Sequence, residues 1–135
     1  MRIYENLESR IQNPESKGRV VIRPPLAPEA LRDRIVAVHA FLLPSLSEVS
    51  PNVILDCIAA GTPFLLTRET GFYEALKDVG LFANPLDESD IRTKIRELCD
   101  PTRYRAYDER LARFSLRRSW DTIAVEWLRL VQEAL

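Results

Sequence analysis

The chain has 135 residues, 46% of them hydrophobic and 29% charged, with a net charge of −1. That length supports a single domain, residues 1–135, with a genuine core. The near-neutral charge excludes general nucleic-acid binding, which needs a basic excess. The two cysteines, Cys57 and Cys99, fall in predicted helices, with no CxxC or Cys/His spacing. Free thiols in a reduced compartment are therefore expected, and no metal site. No run approaches the roughly 18 apolar residues of a membrane span, and no apolar signal region opens the chain. The expected location is cytoplasmic.

In chain order, Tyr4, Leu7 and Ile11 predict a first helix, closed by Asn13-Pro14. Gly18 leads into a short strand, Val20-Val21-Ile22, that Pro24-Pro25 ends. Pro28 suits a first helical turn, so Glu29 to Val36 reads as helix. Strand Ala40–Leu43 follows. Next come helix Pro51–Ala60, with Gly61 as its stop, and strand Pro63–Thr67. A short helix is expected over Phe72–Lys77 and a small strand over Leu81–Ala83. The rest reads as helical: about Glu88–Leu98, Thr102–Phe114 and Ser119–Ala134. The last helix carries an unbroken apolar stripe, Trp120, Ile123, Ala124, Trp127, Leu128, Val131 and Leu135. Apolar strands separated by helices predict an α/β fold, a Rossmann-like parallel sheet with flanking helices that ends in a helical tail.

The segment from Leu42 to Thr67 carries the most chemistry. Two apolar strands flank a polar loop and a helix opened by Ser50-Pro51, and Glu48 and Asp56 stand eight positions apart across that junction. A helix N-terminus at the carboxyl end of a parallel strand favours an anion, through its unbonded N–H groups and its dipole. A carboxylate further into the helix suits hydroxyls just beyond that anion, as in a ribose next to a diphosphate. Ser50 reads as the N-cap and Pro51 as the first helical residue. Because proline has no N–H, Asn52 and Val53 become the expected donors. Thr70 and Gly71 follow the next strand and reach the same edge, where open α/β sheets bind ligands.

This segment resembles the donor-binding motif of retaining glycosyltransferases with the GT-B architecture. The family pattern is P-S-x-x-E-G-x-x-N-V-x-x-E-A-x-A-x-G-x-P-V, and Pro44-Ser45, Glu48, Asn52-Val53, Ala59-Ala60-Gly61 and Pro63 fall in step with it. A weaker likeness runs from about residue 20 to residue 131, through Thr70-Gly71-Phe72-Tyr73-Glu74 and the region of Phe114-Ser115 and Trp120. The resemblance implies part of the C-terminal, donor-binding domain of such an enzyme. It puts Glu48 beside the transferred sugar as the catalytic acid, and Asp56 on the ribose hydroxyls. It also implies a nucleotide diphosphate sugar as substrate, no cofactor, and metal-independent transfer. The acceptor domain or subunit, and the Arg and Lys that grip the diphosphate, would lie outside this chain. Asp56 stands where the family has a second glutamate, Val49-Ser50 where it has glycine and an apolar residue, Cys57-Ile58 where it has Ala-Met, and His39 where it has aspartate.

Simpler readings compete at each position. Glu48 and Asp56 taken singly are ordinary acids near a helix start, and Ser50-Pro51 an ordinary cap. Thr70-Gly71 reads equally as a plain strand-to-helix turn, and Arg23 as a solvated side chain. His39, the only histidine, precedes the strand at the end opposite the ligand edge, so a structural role is expected. Arg103, Arg105, Arg110, Arg113, Arg117 and Arg118 leave contact with an anionic membrane open, but Asp108 and Glu109 interrupt them, as on a solvated face. No residue is a credible general base. Two functions lead, the donor part of a glycosyltransferase or a non-catalytic nucleotide-sugar-binding or interaction module of the same fold, with a related epimerase of the same architecture as a third. The unpaired strand edge at Val20–Ile22 and the terminal apolar stripe predict a homo-oligomer.

Overall fold

The computed structural model of the chain describes residues 21, 24–115 and 120–134. The expected helix at Tyr4–Ile11 lies outside them, as do Arg23, Arg117, Arg118 and all of the expected strand Val20–Ile22 except Val21. Val21 is exposed and in no regular element. The elements are α1 (Pro28–Ala37), β1 (Phe41–Leu43), α2 (Asn52–Ala60), β2 (Phe64–Thr67), α3 (Tyr73–Leu76), β3 (Leu81–Ala83), α4 (Glu88–Cys99), α5 (Pro101–Arg113) and α6 (Trp120–Glu133). The expected α/β architecture with a helical tail is therefore present.

The three strands form one parallel sheet in the order β1-β2-β3. Phe41, Leu42 and Leu43 sit opposite Phe64, Leu65 and Leu66. Leu65, Leu66 and Thr67 sit opposite Leu81, Phe82 and Ala83. Every residue of β2 is buried, as expected of a central strand covered on both faces. The pleat sorts the apolar residues onto those faces. Phe64, Leu66 and Phe82 join Ile35, Ile54, Cys57, Leu76, Val79 and Leu111 in one cluster. Leu65, Leu81 and Ala83 join Leu98 in the other, under Ile91, Ile95, Tyr104 and Tyr107.

Local chemistry sets the helix ends. Asp87 caps α4 by accepting from the N–H groups of Ser89 and Asp90 at 2.9 and 3.2 Å. Asp100 caps α5 by accepting from Arg103 at 2.9 Å, with Pro101 in the first turn, where a missing N–H is harmless. Gly61 ends α2 at φ 70°, a left-handed conformation that favours glycine. Thr62 then buries its hydroxyl, donating to the Ile35 carbonyl at 2.8 Å and fixing the entry to β2 against α1.

The opening of α2 differs from the sequence expectation by one residue. Pro51, with ψ 94°, takes the N-cap position, and its carbonyl accepts from the N–H of Ile54 at 2.9 Å. Extended backbone at Pro51 keeps it out of the helix, so Ser50 lies one residue before the cap and does not cap by its side chain. At the other end of the chain, α6 exposes Val125, Trp127, Leu128, Leu130 and Val131. Of the expected stripe, Ile123 is half-buried, while the Trp120 side chain and Leu135 lie outside the described residues.

Candidate functional site at the carboxyl edge of the sheet

β1, β2 and β3 are parallel, so the loops that leave them emerge at one edge. The loops after β1 and β2 are joined there by a short extension of the sheet, a parallel bridge between Glu48 and Thr70. The Glu48 N–H donates to the Glu69 carbonyl at 2.8 Å, and the Gly71 N–H donates to the Glu48 carbonyl at 3.2 Å. Glu48, Thr70 and Gly71 are therefore held together by backbone, and the half-buried Glu48 is fixed at its own main chain.

Gly71 permits this approach. A Cβ at that position would lie 2.5 Å from the Val49 carbonyl oxygen, closer than any side-chain carbon sits to backbone. Thr70 organises the turn that follows. Its hydroxyl accepts from the Phe72 N–H at 3.2 Å, and its carbonyl accepts from the Tyr73 N–H at 3.2 Å, which starts α3. The hydroxyl hydrogen of Thr70 is still able to donate to a ligand.

α2 begins beside these loops with no side-chain cap. Its first N–H groups, those of Asn52 and Val53, lie at the positive end of the helix dipole. Asn52 is exposed, whereas the Val53 side chain packs on the core, so Val53 could offer a ligand only its backbone. Ser50 is exposed just ahead of the turn, next to the strongly exposed Val49.

Asp56 lies one turn further into α2. Its carboxylate accepts from Arg32 Nε of α1 at 3.3 Å. The sequence reading paired Asp56 with Glu48, and it did not anticipate Arg32. The two partners are 24 residues apart and meet only because α1 packs on α2, so no linear pattern signals the contact. Next to it, burial and then the Asp56 charge push the Cys57 thiol up to about 12. Cys57 is a core residue here, not a nucleophile.

His39 lies at the other end of the sheet, where β1 begins. Its Nε2 is 2.9 Å from the Leu98 carbonyl, to which it donates. Its ring stacks on Tyr104 with centroids 4.0 Å apart, and the Tyr104 hydroxyl donates to the His39 carbonyl at 2.9 Å. These contacts tie β1 to α4 and α5, as the structural reading of this residue expects. Three of the arginines of α5 likewise have partners within the fold. Arg103 is 3.5 Å from Glu97, Arg105 is 4.0 Å from Glu109, and Arg110 lies over the Tyr107 ring.

Fold and site together define a Rossmann-like domain whose polar groups converge at the carboxyl edge of a parallel sheet, around an uncapped helix start. The family model described as Glycosyl transferases group 1 matches residues 3–100. The chain belongs to that family. It is similar to Mannosylfructose-phosphate synthase of Agrobacterium fabrum, with 26% identity over 137 residues, covering 96% of this chain and 30% of that protein. Among solved structures it matches Sucrose-phosphate synthase of Thermosynechococcus elongatus with a TM-score of 0.68 and 23% identity, over 96% of this chain and 34% of the other. The fold is thus that of part of a GT-B glycosyltransferase. The chain spans about a third of the length of each of these proteins. Among the described residues, no helix is long and apolar enough to cross a membrane.

Proposed function

We propose that this chain is the donor-binding part of a retaining glycosyltransferase, acting on a nucleotide diphosphate sugar in the cytoplasm. The observation that carries the reading is the Glu48–Thr70 bridge beside the uncapped start of α2. The bridge holds an acid and a hydroxyl at one edge, and α2, whose first N–H groups would serve as donors, opens four residues after Glu48. In this reading the N–H groups of Asn52 and Val53 meet the diphosphate and stabilise the charge that grows on it as the sugar leaves. Glu48 orients the transferred sugar, and Thr70, Gly71 and Ser50 line the approach. Asp56 exchanges its contact with Arg32 for the ribose hydroxyls. The acceptor comes from a domain or subunit other than this one.

The test is ligand-observed NMR on the 135-residue chain with uridine, guanosine and adenosine diphosphate sugars. Weak binding is expected, with Kd of about 1 mM or more, which corresponds to roughly 4 kcal/mol. One nucleotide should stand out, and Asp56→Ala and Glu48→Gln should each abolish its signal. A panel with no preferred nucleotide, or one unaffected by either substitution, would sink the proposal.

A second reading, a binding module without catalysis, is favoured by the Arg32–Asp56 contact, since the acid expected to hold the ribose already has a partner. Half-exposed pairs of this kind contribute only about 0–1 kcal/mol, so a ligand can displace Arg32. Sugar transfer or donor hydrolysis by the chain with its acceptor domain supports the enzyme, and binding with no turnover in that assembly supports the module.

A further inference from the structure

Among the described residues β3 is one of the two edge strands of the sheet, and a cavity of about 310 Å³ opens along it, lined by Arg68, Tyr73, Lys77, Lys94, Tyr107 and Arg110 around the strand residues. Four of the lining side chains are cationic, and no carboxylate lines the cavity. The four come from separate places: the end of β2, the turn after α3, α4 and α5. Only the fold brings them together, so no basic run in the sequence marks the cavity.

Carboxylates outside the cavity lining pair with three of these cations. Arg68 is 3.4 Å from Asp90, Lys77 is 2.6 Å from Glu74, and Lys94 is 3.0 Å from Glu97. Arg110 is steadied differently, with Nε donating to the Ala106 carbonyl at 3.0 Å and its guanidinium 4.5 Å above the Tyr107 ring. The Tyr107 hydroxyl is fixed on Glu97 at 3.0 Å. Surface pairs of this kind position a cation while leaving it other N–H groups to donate. The strand backbone adds a further donor. Ala83 accepts from the Arg68 N–H, so its backbone faces β2. In a parallel ladder the neighbouring residue faces the other way, which turns the N–H of Phe82 toward the cavity that Phe82 helps to line.

We propose that this cavity binds a phosphate group, at a site separate from the carboxyl-edge site around Glu48. Cations that converge from several elements suit a compact tetrahedral anion with several acceptor oxygens, and arginine forks match its geometry. A cavity of this size admits inorganic phosphate or a small phosphate monoester. Arg68 and Tyr73 also bracket the segment that carries Thr70 and Gly71.

The test is a ¹⁵N-NMR titration of the full chain with inorganic phosphate, with glycerol 3-phosphate and with glycerol. Saturable shifts are expected at the amides of Gly80, Phe82 and Arg110 with both phosphates, and none with glycerol. Tighter binding of glycerol 3-phosphate assigns a phosphate monoester, and equal affinities assign the free anion. The Lys77→Gln/Arg110→Gln double variant removes two charged donors and should weaken binding at least about tenfold. Asp56→Ala, in the other site, should leave binding unchanged, which separates this proposal from the donor-site reading. The absence of saturable shifts for either phosphate overturns the proposal. So does binding that survives the double variant, or that is lost with Asp56→Ala.

Discussion

Gly71→Ala tests whether the two loops of the carboxyl edge form one unit. The added methyl would stand 2.5 Å from the Val49 carbonyl oxygen. Ordinary van der Waals contact begins near 3.4 Å, so the loops must part by about 0.9 Å. The obstacle is backbone, which cannot rotate aside as a long side chain would. Separation costs the hydrogen bonds from Glu48 to Glu69 at 2.8 Å and from Gly71 to Glu48 at 3.2 Å. At about 1 kcal/mol net for each, the loss is about 2 kcal/mol. For a domain of this size that lowers Tm by roughly 8 °C, from about 4 °C per kcal/mol. Thermal unfolding by circular dichroism measures the shift, and hydrogen exchange locates it as lost protection at the Glu48 and Gly71 amides. A variant that melts within a degree of the parent and keeps both amides protected refutes the argument that Gly71 is required by close approach.

Three further outcomes are expected. With Cys57 buried and its thiol pushed up to about 12, and Cys99 exposed, Ellman's reagent at neutral pH should titrate one thiol in the native protein and two in denaturant; rapid modification of both in the native state contradicts the buried position. Burial alone would raise the Glu97 carboxyl, but hydrogen bonds from Lys94 and Tyr107, with the Lys94 and Arg103 charges, outweigh it and hold Glu97 below its ordinary value. Its stabilising contribution is therefore complete above the unfolded value, about 4.3, and is lost as the pH falls further. The Tm gap between parent and Glu97→Gln should narrow from pH 7 to pH 3, and a constant gap rules this out. Finally, the exposed Trp127, Leu128 and Val131 of α6 predict self-association. Light scattering should give a mass above that of one chain, reduced by Trp127→Glu, and a monomeric parent at micromolar concentration refutes it.

Much of the fold is legible in the residues because periodicity and punctuation agree. Phe64-Leu65-Leu66-Thr67 is a short apolar run between Gly61-Thr62-Pro63 and a polar loop, which is the mark of a strand buried on both faces. Asp100-Pro101 and Gly61 mark helix ends by mechanisms that need no tertiary partner. The start of α2 was less legible. Ser50-Pro51 is compatible with Ser50 as cap and Pro51 as first helical residue, and equally with Pro51 in the cap position. The choice rests on ψ at Pro51, which the surrounding loops decide. Side-chain chemistry at Ser50 cannot encode that angle.

The site is legible to a similar depth and for a related reason. Acids, hydroxyls and glycines close in sequence to a strand end are carried to the carboxyl edge by the parallel topology alone, so Glu48, Thr70 and Gly71 can be assigned from order along the chain. What these residues touch depends on which elements lie side by side. Arg32 meets Asp56 because α1 lies on α2, and the four cations of the β3 cavity meet because α3, α4 and α5 surround an edge strand. Asp56 stands where the resemblance has glutamate, and its carboxylate accepts from Arg32 Nε of α1 at 3.3 Å. That change is visible in the sequence as a substitution, but only the packing of the two helices shows where the carboxylate goes.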